Sequence, residues 1–191
     1  DNEHICCAIS DKKCTLGYEL KKGWLKGQLD NGYVFKKYDV RHKVFIEYCP
    51  AEKAWAPIDA PGYMLINCFW VAGSFKGKGY GKKLLLECIK DSKEKNGIII
   101  ISSDKKRPYM SEKKFFLNQG FEICDRAEPY FELLVKQFKD APLPCFKKVA
   151  KFSKDKAAKG FKLYYTNQCP FTELYAQEML ELPGRIKFHS S

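Results

Sequence analysis

A glycine-dense turn between two apolar runs is the part of this sequence whose residue types and spacing most directly indicate chemistry. Residues 71–85 read VAGSFKGKGYGKKLL. Glycines permit a positive φ and a close approach of the backbone, so that consecutive N–H groups can face one anion at the positive end of a helix. The pattern therefore predicts a phosphate-binding turn.

Two common nucleotide-binding turns do not fit this spacing. A Walker loop needs a glycine five residues before its Gly-Lys pair and a serine or threonine after it, but Lys76 and Lys83 occupy those positions. A dinucleotide-binding fingerprint needs a third glycine three residues after the second, where this chain has Lys82. The turn is therefore interpreted as a phosphate site of another kind.

The apolar patterns around the turn indicate a mixed α/β domain. Residues 63–72 (YMLINCFWVA) are apolar over the length of a strand, which is typical of a strand buried on both faces at the centre of a sheet. In residues 81–94 apolar side chains recur with helical spacing, which predicts an amphipathic helix. Residues 98–102 (IIIIS) predict a second buried strand, and this strand-helix-strand unit requires a parallel pair with a right-handed crossover.

Further elements extend this core on both sides. Two short helices interrupted at Gly17 fit the N-terminal apolar pattern, a hairpin precedes the central strand, and a helix with two strands follows the second buried strand. They are expected at 5–29 (helices), 33–40 and 43–49 (hairpin, with Arg41 and His42 in its turn), 111–118 (helix capped by Ser111 and closed by Gly120), and 121–124 and 130–138 (strands).

A change of composition near residue 140 indicates a domain boundary. Lysine, alanine and proline dominate residues 141–159, which predicts a linker between a domain at 1–140 and a partial module at 160–191. In that module a strand is expected at 161–165 and a helix at 172–182.

Composition narrows the class of protein. No apolar run approaches the roughly 20 residues that span a bilayer, and the first residues do not resemble a signal peptide, so we expect a cytoplasmic protein with no membrane partner. Nine cysteines without a CxxC, and only three histidines, argue for free thiols and against a metal site. The net charge of +11 attracts polyanions, yet only four of the 34 basic residues are arginine, which argues against dedicated nucleic-acid recognition.

Two motifs resemble the GNAT superfamily of N-acetyltransferases. Residues 75–85 (FKGKGYGKKLL) are similar to its common YRGKGIGxxLL form, with Lys76 in place of an arginine or glutamine and Gly73 in place of a frequent proline. Residues 113–124 (KKFFLNQGFEIC) are similar to its second signature, in which an aromatic pair and three residues precede Gly-Phe. The resemblance covers roughly residues 63–138 and implies a central mixed β-sheet flanked by helices.

The resemblance also implies an activity and a set of site residues. It implies direct transfer of an acetyl group from acetyl-CoA to a small-molecule or peptide amine, with the strand backbone at Trp70 and Val71 holding the pantetheine arm. Residues implied to bind the pyrophosphate are Lys76, Gly77, Lys78, Gly79, Tyr80, Gly81 and Lys82.

Catalytic roles are assigned to three residues. Glu47, in the apolar run VFIEYC, is the candidate general base, because a carboxylate on a mostly buried strand can have a raised pKa; an exposed position on the alternating face is the other interpretation. Many relatives protonate the leaving thiolate with a tyrosine, whose matching position here is Phe116, so Tyr109 and Tyr130 are the substitutes. Acceptor pockets in this superfamily are built by variable loops, and residues 50–62, with Trp55, are expected to form an apolar wall there.

A closer resemblance is to YoaP-type acetyltransferases, which join this domain to a thioredoxin-like C-terminal module. Residues 160–176 (GFKLYYTNQCPFTELYA) look like the opening of that module, a fragment of a βαβ unit, with Thr172 in place of the second cysteine of a CxxC. Cys169 at a helix N-terminus is either a reactive thiol with a lowered pKa or a structural turn residue. The alternative functions are therefore a thiol-based binding or redox module centred on Cys169, with a non-catalytic CoA-binding domain, and a basic nucleic-acid-binding protein.

Overall fold

The computed structural model describes residues 5–40, 43–148 and 163–181. The chain divides into two compact units, one formed by residues 1–30 with 154–191 and the other by residues 31–153. This grouping joins the N-terminal segment to the C-terminal one, whereas the sequence predicted modules at 1–140 and 160–191. The predicted module boundaries stay a prediction.

The secondary structure of the described residues matches the expected α/β alternation. The helices are α1 (Thr15–Leu29), α2 (Tyr80–Asp91), α3 (Lys113–Leu117) and α4 (Pro170–Leu180), and the strands are β1 (Val34–Lys37), β2 (Val44–Pro50), β3 (Ile58–Asp59), β4 (Tyr63–Val71), β5 (Gly97–Ser103), β6 (Glu122–Ala127), β7 (Phe131–Gln137) and β8 (Cys145–Phe146).

The larger unit is built on a six-stranded mixed sheet in the order β1-β2-β4-β5-β7-β6. β4 and β5 are parallel at its centre, and the other neighbouring strands are antiparallel. The predicted hairpin, central strand and parallel crossover are thus confirmed, as is the mixed α/β fold class.

Apolar side chains cover both faces of this sheet. On one face α2 buries Leu84, Leu85 and Cys88 against β2 and β4, as its helical spacing predicts. On the other face Tyr63, Leu65 and other side chains pack beneath residues 51–60 and the small β3–β8 sheet. β8 lies within the range predicted as a linker, and its pairing with β3 makes residues 145–146 part of the fold.

Several predicted boundaries move in the structure. α3 begins at Lys113 with Glu112 at its N-cap, so the predicted capping role of Ser111 is wrong, and the Ser111 carbonyl instead accepts a hydrogen bond from the Ser102 hydroxyl at 2.7 Å. Gly120 has a φ of +78° just after this helix, which confirms the predicted helix end.

In the smaller unit one helix replaces the two that were predicted. Gly17 lies inside α1 and does not interrupt it. A Cβ at Gly17 would lie 2.4 Å from the Pro170 carbonyl oxygen, so this glycine permits close packing of α4 on α1. Residues 163–165 are irregular where a strand was predicted at 161–165, of which 161 and 162 lie outside the described residues, whereas α4 confirms the predicted C-terminal helix.

None of the helices in the described residues has the length and apolar character needed to span a membrane.

Candidate active site

The two central strands separate at their carboxyl ends. β4 pairs with β5 only from Tyr63 opposite Gly97 to Ile66 opposite Ile100. Beyond that point β4 continues to Val71 in pairing with β2, and β5 continues to Ser103 in pairing with β7. Within these strands the β4 backbone at 67–71 is therefore open on the side that faces β5.

A β-bulge marks the start of this opening. The β2–β4 register runs from Glu47 opposite Cys68 to Tyr48 opposite Ile66, which leaves Asn67 as an extra residue on β4. Because of the extra residue, the alternation of side chains shifts by one, and Phe69 follows Ile66 in the core beneath α2. Trp70 consequently faces away from α2 and is 43% exposed, so the prediction that this whole run is buried on both faces holds only for its first half.

The glycine turn lies directly after the open end of β4. Gly77 and Gly79 have φ values of +75° and +79°, and a Cβ on either would meet nothing within 4 Å. Their requirement for glycine is therefore conformational, and the space above them is open.

The N-terminus of α2 points into this turn. Gly79 is its N-cap and provides no side-chain cap, and the Lys83 N–H donates to the Gly79 carbonyl at 3.1 Å. The N–H groups of Tyr80, Gly81 and Lys82 precede that first helical bond, so they remain available to an acceptor, such as an anion, at the positive end of the helix.

Side chains around the turn fall into two groups. Lys76, Lys78 and Lys82 are exposed and place positive charge around the helix start. Tyr80 packs edge-on against Phe75 and Tyr38, with ring centroids 5.1 and 5.2 Å away. Of the residues predicted to bind pyrophosphate, the lysines are thus placed for charge and Tyr80 for packing.

Gly81 has a packing role that the sequence did not indicate. A Cβ there would lie 3.2 Å from the Phe115 ring and 3.3 Å from the Phe69 ring, which are stacked 5.0 Å apart. This close approach connects the start of α2 with β4 and with the helix that follows β5.

The proposed base Glu47 is completely buried on β2. It lies in register with Cys68 on β4 and accepts a hydrogen bond from the Tyr33 hydroxyl at 2.6 Å. Burial and the neighbouring Glu47 carboxylate both raise the pKa of Tyr33 far above its ordinary value, so Tyr33 stays protonated. The buried interpretation of Glu47 is correct, and its partner Tyr33 is a residue that the sequence analysis did not find.

The two predicted tyrosine acids lie on the other side of the opening. Tyr109, in the connection after β5, has a φ of +62° and is 64% exposed. Tyr130 precedes β7, where the Arg107 guanidinium lies 3.9 Å from its ring centroid. Three strand spacings of about 4.8 Å separate β2 from β7, so Glu47 and Tyr130 lie at least roughly 14 Å apart.

A surface cavity that the sequence did not indicate adjoins Tyr130. It measures about 580 Å³ and is lined by Asp104, Arg126, Ala127, Glu128, Pro129, Tyr130, Phe131 and Glu132. Because β4 and β5 are parallel, this cavity at the end of β5 lies at the same sheet edge as the glycine turn at the end of β4.

Ion pairs organise the charged side chains of this cavity. Glu132 pairs with Lys113 and with Arg126, and Asp104 pairs with Arg107 at 3.1 Å. Burial acts to raise the pKa of Glu132, but the hydrogen bonds from Lys113 and Arg126 outweigh it and lower that pKa below 4.5. Glu132 is therefore held as a carboxylate.

The segment expected to form an acceptor wall crosses one face of the sheet. It begins and ends beside the amino end of β4, where Pro50 pairs with Met64. Between these ends Ile58 packs in the same apolar cluster as Phe131, which lies at the carboxyl end of β5. The expectation that Trp55 forms an acceptor wall stays a prediction.

A family profile matches residues 6–121, which include the opened strand, the turn and the aromatic helix, and its description is the acetyltransferase (GNAT) family. The chain belongs to the GNAT acetyltransferase family. It is 45% identical over 195 residues to the uncharacterized N-acetyltransferase YoaP of Bacillus subtilis (strain 168), a match that covers 100% of this chain and 77% of the relative.

Solved structures of acetyltransferases are similar to this chain over part of its length. A putative GNAT acetyltransferase from Desulfovibrio desulfuricans matches with a TM-score of 0.50 and 19% identity, over 63% of this chain and 77% of the other. The PaiA N-acetyltransferase from Thermoplasma acidophilum, solved in complex with coenzyme A, matches with a TM-score of 0.45 and 17% identity, over 60% of this chain and 66% of the other.

The second GNAT-like signature forms an aromatic core. Phe116 is completely buried, and its ring centroid lies 5.3 Å from those of Phe69 and Phe121. In many relatives the resemblance implies a proton-donating tyrosine at this position. Phe116 has no hydroxyl and is not exposed, so here the position contributes to packing.

Cys169 differs from the reactive thiolate considered above. It is the N-cap of α4, and the N–H groups of Phe171 and Thr172 act to lower its pKa. Burial outweighs them, however, and raises the pKa of the thiol, so the expectation of a lowered pKa is wrong.

Within the described residues, no three histidine, cysteine, aspartate or glutamate side chains are grouped so as to hold a metal ion.

Proposed function

We propose that this GNAT protein transfers an acetyl group from acetyl-CoA to the amine of a small molecule or peptide by direct attack on the thioester. One observation carries the proposal: the open β4 backbone at 67–71 and the uncapped N-terminus of α2 lie at one edge of the sheet. The first offers hydrogen-bonding groups to an extended chain, and the second offers a site for phosphate.

The two parts of acetyl-CoA match these features. We assign its pantetheine arm to the backbone around Trp70 and Val71, where peptide groups on the opened side can pair with its amides. Its pyrophosphate is assigned to the N–H groups of Tyr80, Gly81 and Lys82 in the glycine turn, with the side chains of Lys76, Lys78 and Lys82 neutralising its charge.

The reaction requires fixed donors and two proton transfers. The amine nitrogen forms a bond to the thioester carbon, the C–S bond breaks, and an N–H of β4 stabilises the charge that develops on the carbonyl oxygen. We assign Glu47 as the acceptor of the amine proton. Because Glu47 is buried and already hydrogen-bonded by Tyr33, the proton reaches it through that hydroxyl or a water.

We assign the proton donor for the leaving thiolate to the β5–β7 side of the opening. The amine that receives the acetyl group is assigned to the same side. Tyr109 and Tyr130 are the two candidates for returning a proton to the thiolate. The cavity at this edge is assigned to the amine acceptor, with Glu128 as the carboxylate that can attract a cation, since Asp104 and Glu132 are already paired with basic side chains.

Steady-state assays of acetyl-CoA with a panel of small-molecule and peptide amines test the proposal, by following thiol release and the mass of the acetylated product. Glu47→Gln should lower kcat by about 10²–10⁴-fold, with unchanged acetyl-CoA affinity, because it removes the proton acceptor and keeps the shape. Glu122→Gln, at an exposed position on β6, is the matched control.

The same assays assign the proton donor. Tyr109→Phe and Tyr130→Phe are compared. The tyrosine whose replacement lowers kcat without changing acetyl-CoA affinity is the residue that donates a proton to the thiolate. A wild-type rate in Glu47→Gln would remove the assigned base, and acetyl-CoA binding without transfer to any amine would remove the transferase proposal.

A further inference from the structure

The smaller unit brings thiols from the two ends of the chain together. Cys14, Gly17, Tyr18 and Lys21 recur at helical spacing and form one buried stripe, in which Cys14 is 1% and Lys21 is 2% exposed. α4 packs on α1 and on the Lys12–Cys14 turn.

Close backbone packing fixes the position of Cys169 against this stripe. The Pro170 carbonyl lies so near Gly17 that no side chain fits between them. Gly17 is one helical turn from Cys14, and Cys169 directly precedes Pro170, so each cysteine lies beside this contact in its own segment.

Electrostatic coupling supports this juxtaposition. Burial raises the pKa of Cys14, and the neighbouring charges of Asp11 and Cys169 raise it further. Lys21 acts in the opposite direction on the pKa of Cys169, as do the N–H groups of Phe171 and Thr172. Burial and the neighbouring Cys6 act to raise the pKa of Cys169, and the positive side chain and the two N–H groups partly offset them.

The turn around Cys169 has no second thiol of its own, since Thr172 follows where a CxxC has cysteine. We propose that Cys14 and Cys169 form a redox-active pair, in which Cys14 supplies from the N-terminal segment the second thiol that this turn lacks. All nine cysteines are thiols in the structure, so the state described is the reduced one.

Hydrogen peroxide is the class of oxidant that the pair would use. After the Cys169 thiol loses its proton, its sulfur attacks one peroxide oxygen, an S–O bond forms, the O–O bond breaks, and the released hydroxide becomes water by taking a proton. Cys14 then attacks the Cys169 sulfur, the S–O bond breaks, and a second water leaves as the S–S bond forms. Two thiols lose two electrons in total, and the peroxide gains them.

Cys6 is the competing partner. Its sulfur lies 4.0 Å from that of Cys7 and accepts a hydrogen bond from the Ala8 N–H at 3.4 Å. The packing of α4 on the Lys12–Cys14 turn favours Cys14, and the two alternatives give different products.

Peptide mapping of the full chain distinguishes these products. The reduced protein is exposed to a small excess of hydrogen peroxide, its remaining thiols are blocked with N-ethylmaleimide, and it is digested with trypsin without reductant. Cys14 and Cys169 fall on tryptic peptides 14–21 and 163–185, whereas Cys6 and Cys7 share peptide 1–12. We expect a cross-link between 14–21 and 163–185 that dithiothreitol removes.

Three variants decide the assignment. Cys14→Ser and Cys169→Ser should each lose the cross-linked peptide, and Cys6→Ser should retain it, with urea unfolding used to verify that each variant is folded. Linkage of Cys169 to peptide 1–12, or a Cys6–Cys7 disulfide as the main product, would overturn the proposal. Oxidation of Cys169 to a sulfinic acid without any cross-link would also overturn it.

Discussion

Glu132 is the residue at the candidate site whose charge is most firmly fixed by its surroundings. Its side chain is 7% exposed and bonds to Lys113 and Arg126, which come from α3 and β6. One carboxylate therefore holds three elements together beside the cavity, and its contribution to stability depends on its remaining ionised.

The pH dependence of unfolding tests this role. The folded-state pKa of Glu132 lies below its ordinary value of 4.5, so its contribution is fully present above about that pH and is lost as the pH falls through the folded pKa. Glu132→Gln should lower the free energy of unfolding at pH 7 by about 1–3 kcal/mol, with a gap from wild type that narrows as the pH falls below 4.5.

Urea unfolding between pH 3 and 8 measures that gap. Glu178→Gln, at an exposed position on α4, is the control and should show no gap at any pH. A Glu132→Gln gap that is constant with pH would mean that the carboxylate contributes by packing and not by charge.

For single residues, the sequence predicts a structural role where the residue type itself dictates the backbone conformation. Gly77 and Gly79 were found because positive φ is a property of glycine itself. Tyr33 was not found, because its bond to Glu47 joins residues that only the β1–β2 hairpin brings together. The ion pairs of Glu132 have the same non-local origin.

The strand β5 depends on close backbone contact with β7. A Cβ at Gly97 would lie 2.4 Å from the Lys136 carbonyl oxygen and 2.9 Å from the Gln137 Cα, both on β7. Since Gly97 pairs with Tyr63 on its other side, this glycine sets where the strands meet before β4 and β5 separate.

Gly97→Ala should destabilise the protein by about 1–3 kcal/mol or more, because the neighbouring atoms are backbone and cannot move aside. Gly23→Ala, in an exposed part of α1 with nothing within 4 Å, is the matched control and should be neutral or stabilise by up to about 1 kcal/mol. Urea denaturation of both variants measures the difference. Equal stability of the two would contradict the close packing of β5 on β7.

Element types were predictable here, and irregularities were not. Uninterrupted apolar runs identified β4 and β5, and helical periodicity identified α2. The bulge at Asn67 left no such signal, because it depends on the register against β2. That register also determines which part of β4 is open.

For the whole molecule, the two resembling motifs predicted the fold class, the family and the edge of the sheet at which the candidate site lies. The cavity beside Tyr130 was not found from the sequence, because its lining residues Asp104 and 126–132 are brought together only by the pairing of β5 with β7. The pairing of the N-terminal segment with α4 was also not predictable, because residues far apart in sequence form that unit.

The net charge of +11 means that binding of any polyanion must be separated from specific recognition. At near-physiological salt the Debye length is about 8 Å, which screens distant lysines and leaves contacts at the turn largely intact. Experiments on acetyl-CoA are therefore most informative under those conditions.

Calorimetric titration of acetyl-CoA into wild type, Gly79→Val and Gly32→Val tests the central claim most directly. Both glycines have a positive φ, but Gly32 packs near Pro50 at the opposite sheet edge, so the two variants carry similar backbone strain and only one alters the turn. We expect micromolar affinity in wild type and Gly32→Val, and a loss of at least about tenfold in Gly79→Val. No binding to wild type, or equal binding to folded Gly79→Val, would contradict the assignment of this turn to acetyl-CoA.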